Sequence, residues 1–132
     1  PSMDLVIDTS AIIAVIVGEP ERDGIIQATT GHALIGPGCI PWEVGNAFSA
    51  MVRRNRLTLE EALKGLAIFT SVPLRYVEPD FDMALKLSKK ADLYACDAYF
   101  LACAIRYKAP LLTLDRKLMV SAQNLNVKLL EV

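Results

Sequence analysis

Leu5-Val6-Ile7-Asp8-Thr9-Ser10-Ala11-Ile12-Ile13-Ala14-Val15-Ile16-Val17 decides the class of fold. Leu5, Val6 and Ile7 form an apolar run with no alternation, as in a strand buried on both faces. Asp8 ends the run. From Ser10 to Val17 the chain is apolar again over a length that suits a helix. A buried strand, an acid at its carboxyl end and a helix make the first half of a strand–helix–strand unit. The stretch is not a secretion signal: it lacks a basic leader, and Asp4 and Asp8 sit in its first half. A cytoplasmic protein is expected.

The rest of the chain repeats the theme. Pro20 suits the first turn of a second helix that runs to about Thr30, where Gly31 stops it. Ala33-Leu34-Ile35 is a short strand ended by Gly36-Pro37-Gly38. A long helix follows from Pro41 to Asn55, with Val44, Phe48 and Met51 on one face. Thr58-Leu59-Glu60-Glu61 reads as a capping box for a helix to Thr70. Leu74 to Val77 is a strand, Asp80 caps a helix to Leu93, and Tyr94 to Lys108 gives another. Leu111 to Leu114 is a strand with Asp115 at its end. A short helix and a last strand, Val127 to Leu130, complete the chain. This alternation predicts an α/β fold: a three-layer α/β/α sandwich around a mainly parallel sheet, in a single domain over residues 3–132. Pro1 and Ser2, ahead of Met3, read as the remnant of an expression tag.

The 132 residues are 53% hydrophobic, which argues against disorder. No apolar run reaches the roughly 18 residues of a membrane span. Cys96 and Cys103 are seven residues apart on one expected helix, about 10 Å along its axis, too far for a disulfide. With Cys39 they make an odd set without zinc-ligand spacing, so all three are expected to be small buried hydrophobes in a reducing compartment. The net charge of −1 lends no global attraction for nucleic acid, so any such binding needs a local basic surface.

Four acids stand out. Asp8 and Asp115 each end a strand and also suit the N-cap of the next helix. Glu43, in Pro41-Trp42-Glu43-Val44, sits in a first helical turn, where the helix dipole favours an acid. Asp97 lies in Tyr94-Ala95-Cys96-Asp97-Ala98-Tyr99-Phe100-Leu101-Ala102-Cys103-Ala104. This helix reads as buried nearly all round, and a lone aspartate there is costly without a partner. In open parallel sheets ligands bind at the carboxyl ends of strands, near the point where strand order reverses. Four carboxylates gathered there repel unless they share hard divalent cations, for which oxygen ligands are suited. One cause then accounts for all four acids. The single histidine, His32, reads as a surface residue. No serine–histidine–aspartate set and no glycine-rich phosphate loop is present.

Four segments together resemble the PIN domain family, and within it the VapC-type ribonuclease toxins. They are Val6-Ile7-Asp8-Thr9-Ser10-Ala11, Pro41-Trp42-Glu43-Val44-Gly45-Asn46-Ala47, Cys96-Asp97-Ala98-Tyr99-Phe100-Leu101-Ala102 and Leu112-Thr113-Leu114-Asp115. The resemblance spans nearly the whole chain from Met3. It implies a central parallel sheet between helices and an Mg2+- or Mn2+-dependent endoribonuclease. Asp8, Glu43, Asp97 and Asp115 match the acids of its metal site, with Asp8 and Asp97 in the places of direct ligands. Thr113 matches a supporting hydroxyl, and Ser10 is a second candidate support. The resemblance also implies a homodimer, an RNA substrate, a cognate VapB-type antitoxin and a 5′-phosphate product.

The expected mechanism is two-metal hydrolysis of RNA phosphodiesters. Arg116 and Lys117, beside Asp115, and the cluster Arg53, Arg54 and Arg56 are candidates for contacts to RNA phosphates, although a solvated helix end explains the arginine trio as well. Alternatives are a PIN-fold nuclease outside toxin–antitoxin systems, acting in RNA processing or on structured DNA, and a PIN-fold interaction module without catalysis. The haloacid-dehalogenase pattern needs a second aspartate where Ser10 stands, and the paired acids of a response-regulator receiver are absent.

Overall fold

A computed structural model describes residues 3–132; the reading of Pro1 and Ser2 as a tag falls outside the described residues. The elements are β1 (Asp4–Ile7), α1 (Thr9–Val17), α2 (Arg22–Thr29), β2 (Ala33–Gly36), α3 (Ile40–Arg53), α4 (Leu59–Thr70), β3 (Leu74–Tyr76), α5 (Phe81–Ala91), α6 (Ala95–Tyr107), β4 (Leu111–Leu112) and α7 (Arg116–Asn124). Side chains close several helix starts as their sequence suggests. Asp8, Asp80 and Asp115 cap α1, α5 and α7, and Thr58 with Glu61 forms a full capping box on α4.

The strands form one parallel sheet in the order β3-β2-β1-β4. Val6 is the hinge of the register, opposite Ile35 on one side and Leu111 on the other. Leu5, Val6, Ile35, Leu111 and Leu112 are fully buried, so the centre of the sheet is covered on both faces. The chain steps one way from β1 to β3 and then returns to the far edge at β4. Right-handed crossovers therefore place α1–α4 on one face and α5 and α6 on the other. Packing agrees: α1 meets α2, α3 and α4, whereas α5 meets α6, and α6 covers β1 and β4. Strand order reverses between β1 and β4, which makes their carboxyl ends the natural ligand site.

Some boundaries differ from those read in the sequence. Pro20 lies in a turn and α2 starts at Arg22, because Arg22 N–H donates to Glu19 and the helical ladder begins with Ile25 donating to Glu21. The α3 helix ends at Arg53, and Asn55 follows in a left-handed conformation that no helix continues through. The expected strand to Leu114 stops at Leu112, since the amides of Leu114 and Asp115 donate to the hydroxyls of Ser10 and Thr113 instead of to a neighbouring strand. The expected last strand, Val127 to Leu130, is an isolated bridge between Leu111 and Leu129. With only two residues in β4, there is no longer ladder for it to join. No helix among the described residues is long and apolar enough to cross a membrane.

Candidate functional site

The site is built from the ends of β1 and β4. Asp8 follows β1 and is 4% exposed. Its Oδ1 accepts from the Ala11 amide at 3.1 Å and from Ser10 Oγ at 2.7 Å. Its Oδ2 accepts from the hydroxyl of Thr113, which follows β4. Ser10 Oγ also accepts from the Leu114 amide at 3.0 Å, and Thr113 Oγ1 accepts from the Asp115 amide at 3.0 Å. Two hydroxyls thus tie the ends of neighbouring strands to one carboxylate. Burial pushes the Asp8 carboxyl up to about 6, and the nearby Asp115 charge adds to this; the bonds from Thr113, Ser10 and Ala11 pull the other way.

Asp115 is exposed, and its Oδ1 accepts from the Leu118 amide at 2.9 Å. Capping and charge clustering are therefore compatible in the same residue. Asp97 lies in the first turn of α6 and Glu43 in the first turn of α3, each half-buried. Burial raises the Asp97 carboxyl above its usual range, the charges of Asp115 and Glu43 raise it further, and Lys117 lowers it. These influences link Asp97 to Glu43 and Asp115, and Asp115 to Asp8.

The cost of burial falls on a different acid from the one expected. The α6 helix is buried at Ala98 and from Phe100 to Ala104, but its first turn opens to solvent. Asp97 is therefore only half-buried, and Asp8 is the one enclosed acid of the four. The basic candidates separate as well. Lys117 Nζ donates to the carbonyl of Asp92 at 2.6 Å, beside Asp97. Arg116 lines an open cleft with Thr113 and Leu114. Arg53, Arg54 and Arg56 are exposed at the opposite end of α3, with Arg53 about 15 Å from Glu43 along the helix axis. His32 bonds the carbonyl of Met3 through Nδ1 and takes no part in the cluster.

The cysteines overturn the expectation of three free thiols. Cys39 and Cys96 form a disulfide, with Cα atoms 6.4 Å apart. Only Cys103 is free, and it is buried. The sequence argument against a disulfide concerned Cys96 and Cys103, on one helix. The pair that forms joins two helices 57 residues apart, and no local spacing announces it. Two large aromatics also stand in solvent beside the acids: Trp42, 78% exposed, precedes Glu43, and Tyr94, 86% exposed, precedes the first turn of α6.

The donor set matches a hard divalent cation, being all carboxylate oxygen with hydroxyl support. Glu43 and Asp97 make no side-chain hydrogen bond among the described residues, which leaves their oxygens available. As they stand, no three acidic, histidine or cysteine side chains among the described residues lie close enough to hold an ion together. Shared coordination requires rotation of the more exposed side chains, Glu43, Asp97 and Asp115, about Asp8, which its three hydrogen bonds hold still.

The fold has counterparts among solved structures. PAE2754 from Pyrobaculum aerophilum is similar over 92% of this chain and 87% of its own, with TM-score 0.71 and 23% identity. VapBC2 from Rickettsia felis, solved bound to a DNA fragment from its promoter, is similar over 98% of each chain, with TM-score 0.66 and 16% identity. VapC20 of Mycobacterium tuberculosis, a toxin that cleaves the sarcin-ricin loop, is similar over 89% of this chain and 94% of its own, with TM-score 0.61 and 13% identity. No protein of curated function matches in sequence. The PIN domain model matches residues 5–122, a span that holds all four acids and both hydroxyls, and the chain belongs to the PIN domain family.

Proposed function

We propose that this chain is an Mg2+- or Mn2+-dependent endoribonuclease and the toxin of a VapBC-type toxin–antitoxin pair. The observation that carries this reading is the enclosed Asp8 at the reversal point of a parallel sheet, held by Thr113, Ser10 and the Ala11 amide, with the charge of Asp115 acting on Asp8 and the charges of Asp115 and Glu43 acting on Asp97. Asp8 and Asp97 would hold the principal ion, with Glu43 and Asp115 completing the site or orienting the water. When bound, a divalent ion supplies a nucleophilic hydroxide at neutral pH and stabilises the departing oxygen of the phosphodiester.

The protein's own groups prepare that chemistry. Thr113 and Ser10 fix the orientation of Asp8, as supporting hydroxyls do for metal-binding carboxylates. Lys117 lies near enough to Asp97 to favour its ionised form. Arg116 and Lys117 follow Asp115 directly and suit contacts to phosphate. The exposed faces of Trp42 and Tyr94 suit stacking on unpaired bases, which favours single-stranded or looped RNA. The likeness in fold to a VapBC complex supports a VapB-type antitoxin partner; the homodimer is part of the proposal and rests on the family resemblance.

The test is cleavage of RNA in the presence of Mg2+ by Asp8→Asn and Asp97→Asn. Each is expected to lose activity by about 100-fold or more, above the loss typical of outer-shell changes. Full activity in either variant ends the scheme.

A further inference from the structure

Cys39 and Cys96 lie 57 residues apart in sequence, yet their sulfurs are joined. Cys39 is the N-cap of α3 and Cys96 is the second residue of α6. The acids follow at once: Glu43 one helical turn beyond Cys39, and Asp97 next to Cys96. The α3 and α6 helices belong to opposite layers and are not among the closely packed helix pairs. Their starts come together at the carboxyl edge of the sheet, and the disulfide is the covalent bond across that edge. The like charges of Glu43 and Asp97 act against it.

We infer that the Cys39–Cys96 disulfide is a redox-controlled clip on the acid cluster. Joined, it holds the starts of α3 and α6 together, so that rotation of the Glu43 and Asp97 side chains suffices for them to share a divalent cation. Opened, it releases the two helix starts, and cation affinity falls. This regulation rests on the proposed metal-dependent activity of the same site. The co-reactant is a dithiol. One of its thiolates attacks a cysteine sulfur and forms a mixed disulfide, and its second thiol resolves that species. The protein S–S bond breaks, one S–S bond forms in the dithiol, and two electrons and two protons pass to Cys39 and Cys96. Both cysteines are half-buried, so the bond is open to attack. Cys103 is enclosed and does not intercept the exchange.

The experiment compares the full chain in two states: oxidised, and reduced with a dithiol that is then removed without air. A thiol count under denaturing conditions should read one in the first state and three in the second. Calorimetry with Mn2+ is expected to show at least tenfold weaker binding to the reduced protein, restored on reoxidation with oxidised glutathione. Amide exchange over residues 40–43 and 95–98 should quicken on reduction. Equal Mn2+ affinity in both folded states overturns the proposal, because a merely stabilising staple shifts the unfolding midpoint and leaves the affinity alone. If neither state binds Mn2+, the metal reading falls by itself. Amide exchange then decides the clip: faster exchange at both helix starts supports it, and unchanged exchange refutes it.

Discussion

Thr113 donates its hydroxyl to Asp8 across 105 residues of sequence, joining the carboxyl ends of β4 and β1 at the point where strand order reverses. The same oxygen accepts from the amide of Asp115. One hydroxyl therefore orients the buried acid and anchors the loop that carries a second acid. Thr113→Val keeps the shape and removes the hydroxyl. It should cost about 1–3 kcal/mol of stability and lower metal affinity or activity by about 10–100-fold. Losing that bond also raises the Asp8 carboxyl further, so the pH-activity curve should move to higher pH, while Thr113→Ser keeps both near wild type. A Thr113→Val protein with the wild-type pH profile would contradict the coupling.

The position of the Asp8 carboxyl has a consequence for stability. Its folded-state pKa, about 6, lies above the ordinary value of 3.8. Protonated Asp8 thus favours the folded state. That contribution is complete below about pH 4 and is lost as pH rises through about 6, a loss of about 3 kcal/mol in total. Asp8→Asn should remove this pH dependence and make the metal-free protein more stable at pH 8, while RNA cleavage disappears. Urea midpoints at pH 5 and pH 8 for both proteins are the check. Equal pH dependence in the two would show that Asp8 is not the titrating group.

The Cys39–Cys96 bond closes a long loop, with a sequence separation of 57. Constraint of the unfolded chain over that length is worth about 4 kcal/mol in the chain-entropy account. Chemical unfolding with and without reductant should differ by an amount of that order. Burial pushes the Cys103 thiol up to about 11. The oxidised native protein should therefore resist alkylation at pH 8. Rapid labelling of the folded, oxidised chain would place a reactive thiol where none is expected.

Trp42, shortly after Cys39 in sequence, and Tyr94, shortly before Cys96, stand in solvent, and neither is needed by the core. Replacing either with alanine should leave folding and Mn2+ binding unchanged. Binding of single-stranded RNA should weaken by about 1–3 kcal/mol per residue, as for other aromatic stacking platforms. Fluorescence anisotropy with a short labelled RNA measures this, and an unaltered Kd for both variants rejects the stacking role.

Gly65 lets α4 approach α3. A Cβ built there would lie 2.5 Å from Phe48 Cζ and 3.3 Å from Ile16 Cγ2. Phe48 is buried, so its ring has little room to retreat. Gly65→Ala should destabilise the fold by about 1–3 kcal/mol through overpacking, despite the better helix propensity of alanine. Denaturant unfolding decides the sign, and a stabilised variant would mean that the two helices lie farther apart.

Local pattern carried a good part of this molecule. Uninterrupted apolar triplets announced buried parallel strands, and the residues after them announced caps. Thr58 with Glu61, Asp80, Asp8 and Asp115 all cap as their sequence context suggests. Such features depend on neighbours within one or two turns, so they are legible in a single sequence. The four acids became candidates in the same way, since their residue types and the segments around them are local.

What required the tertiary structure was everything set by strand order and layer packing. The order β3-β2-β1-β4 brings Thr113 to Asp8 and decides which of the four acids is enclosed. An apolar helix suggested Asp97, but burial depends on what covers a turn, and the first turn of α6 is only partly covered. The joining of Cys39 to Cys96 needs two helix starts from opposite layers to meet at one edge, and no spacing along the chain encodes that meeting. The sequence by itself determined the kinds of elements and the chemistry available at their ends. Only the folded chain decided which of those ends share a site, because contact between residues far apart is a property of packing and not of local propensity.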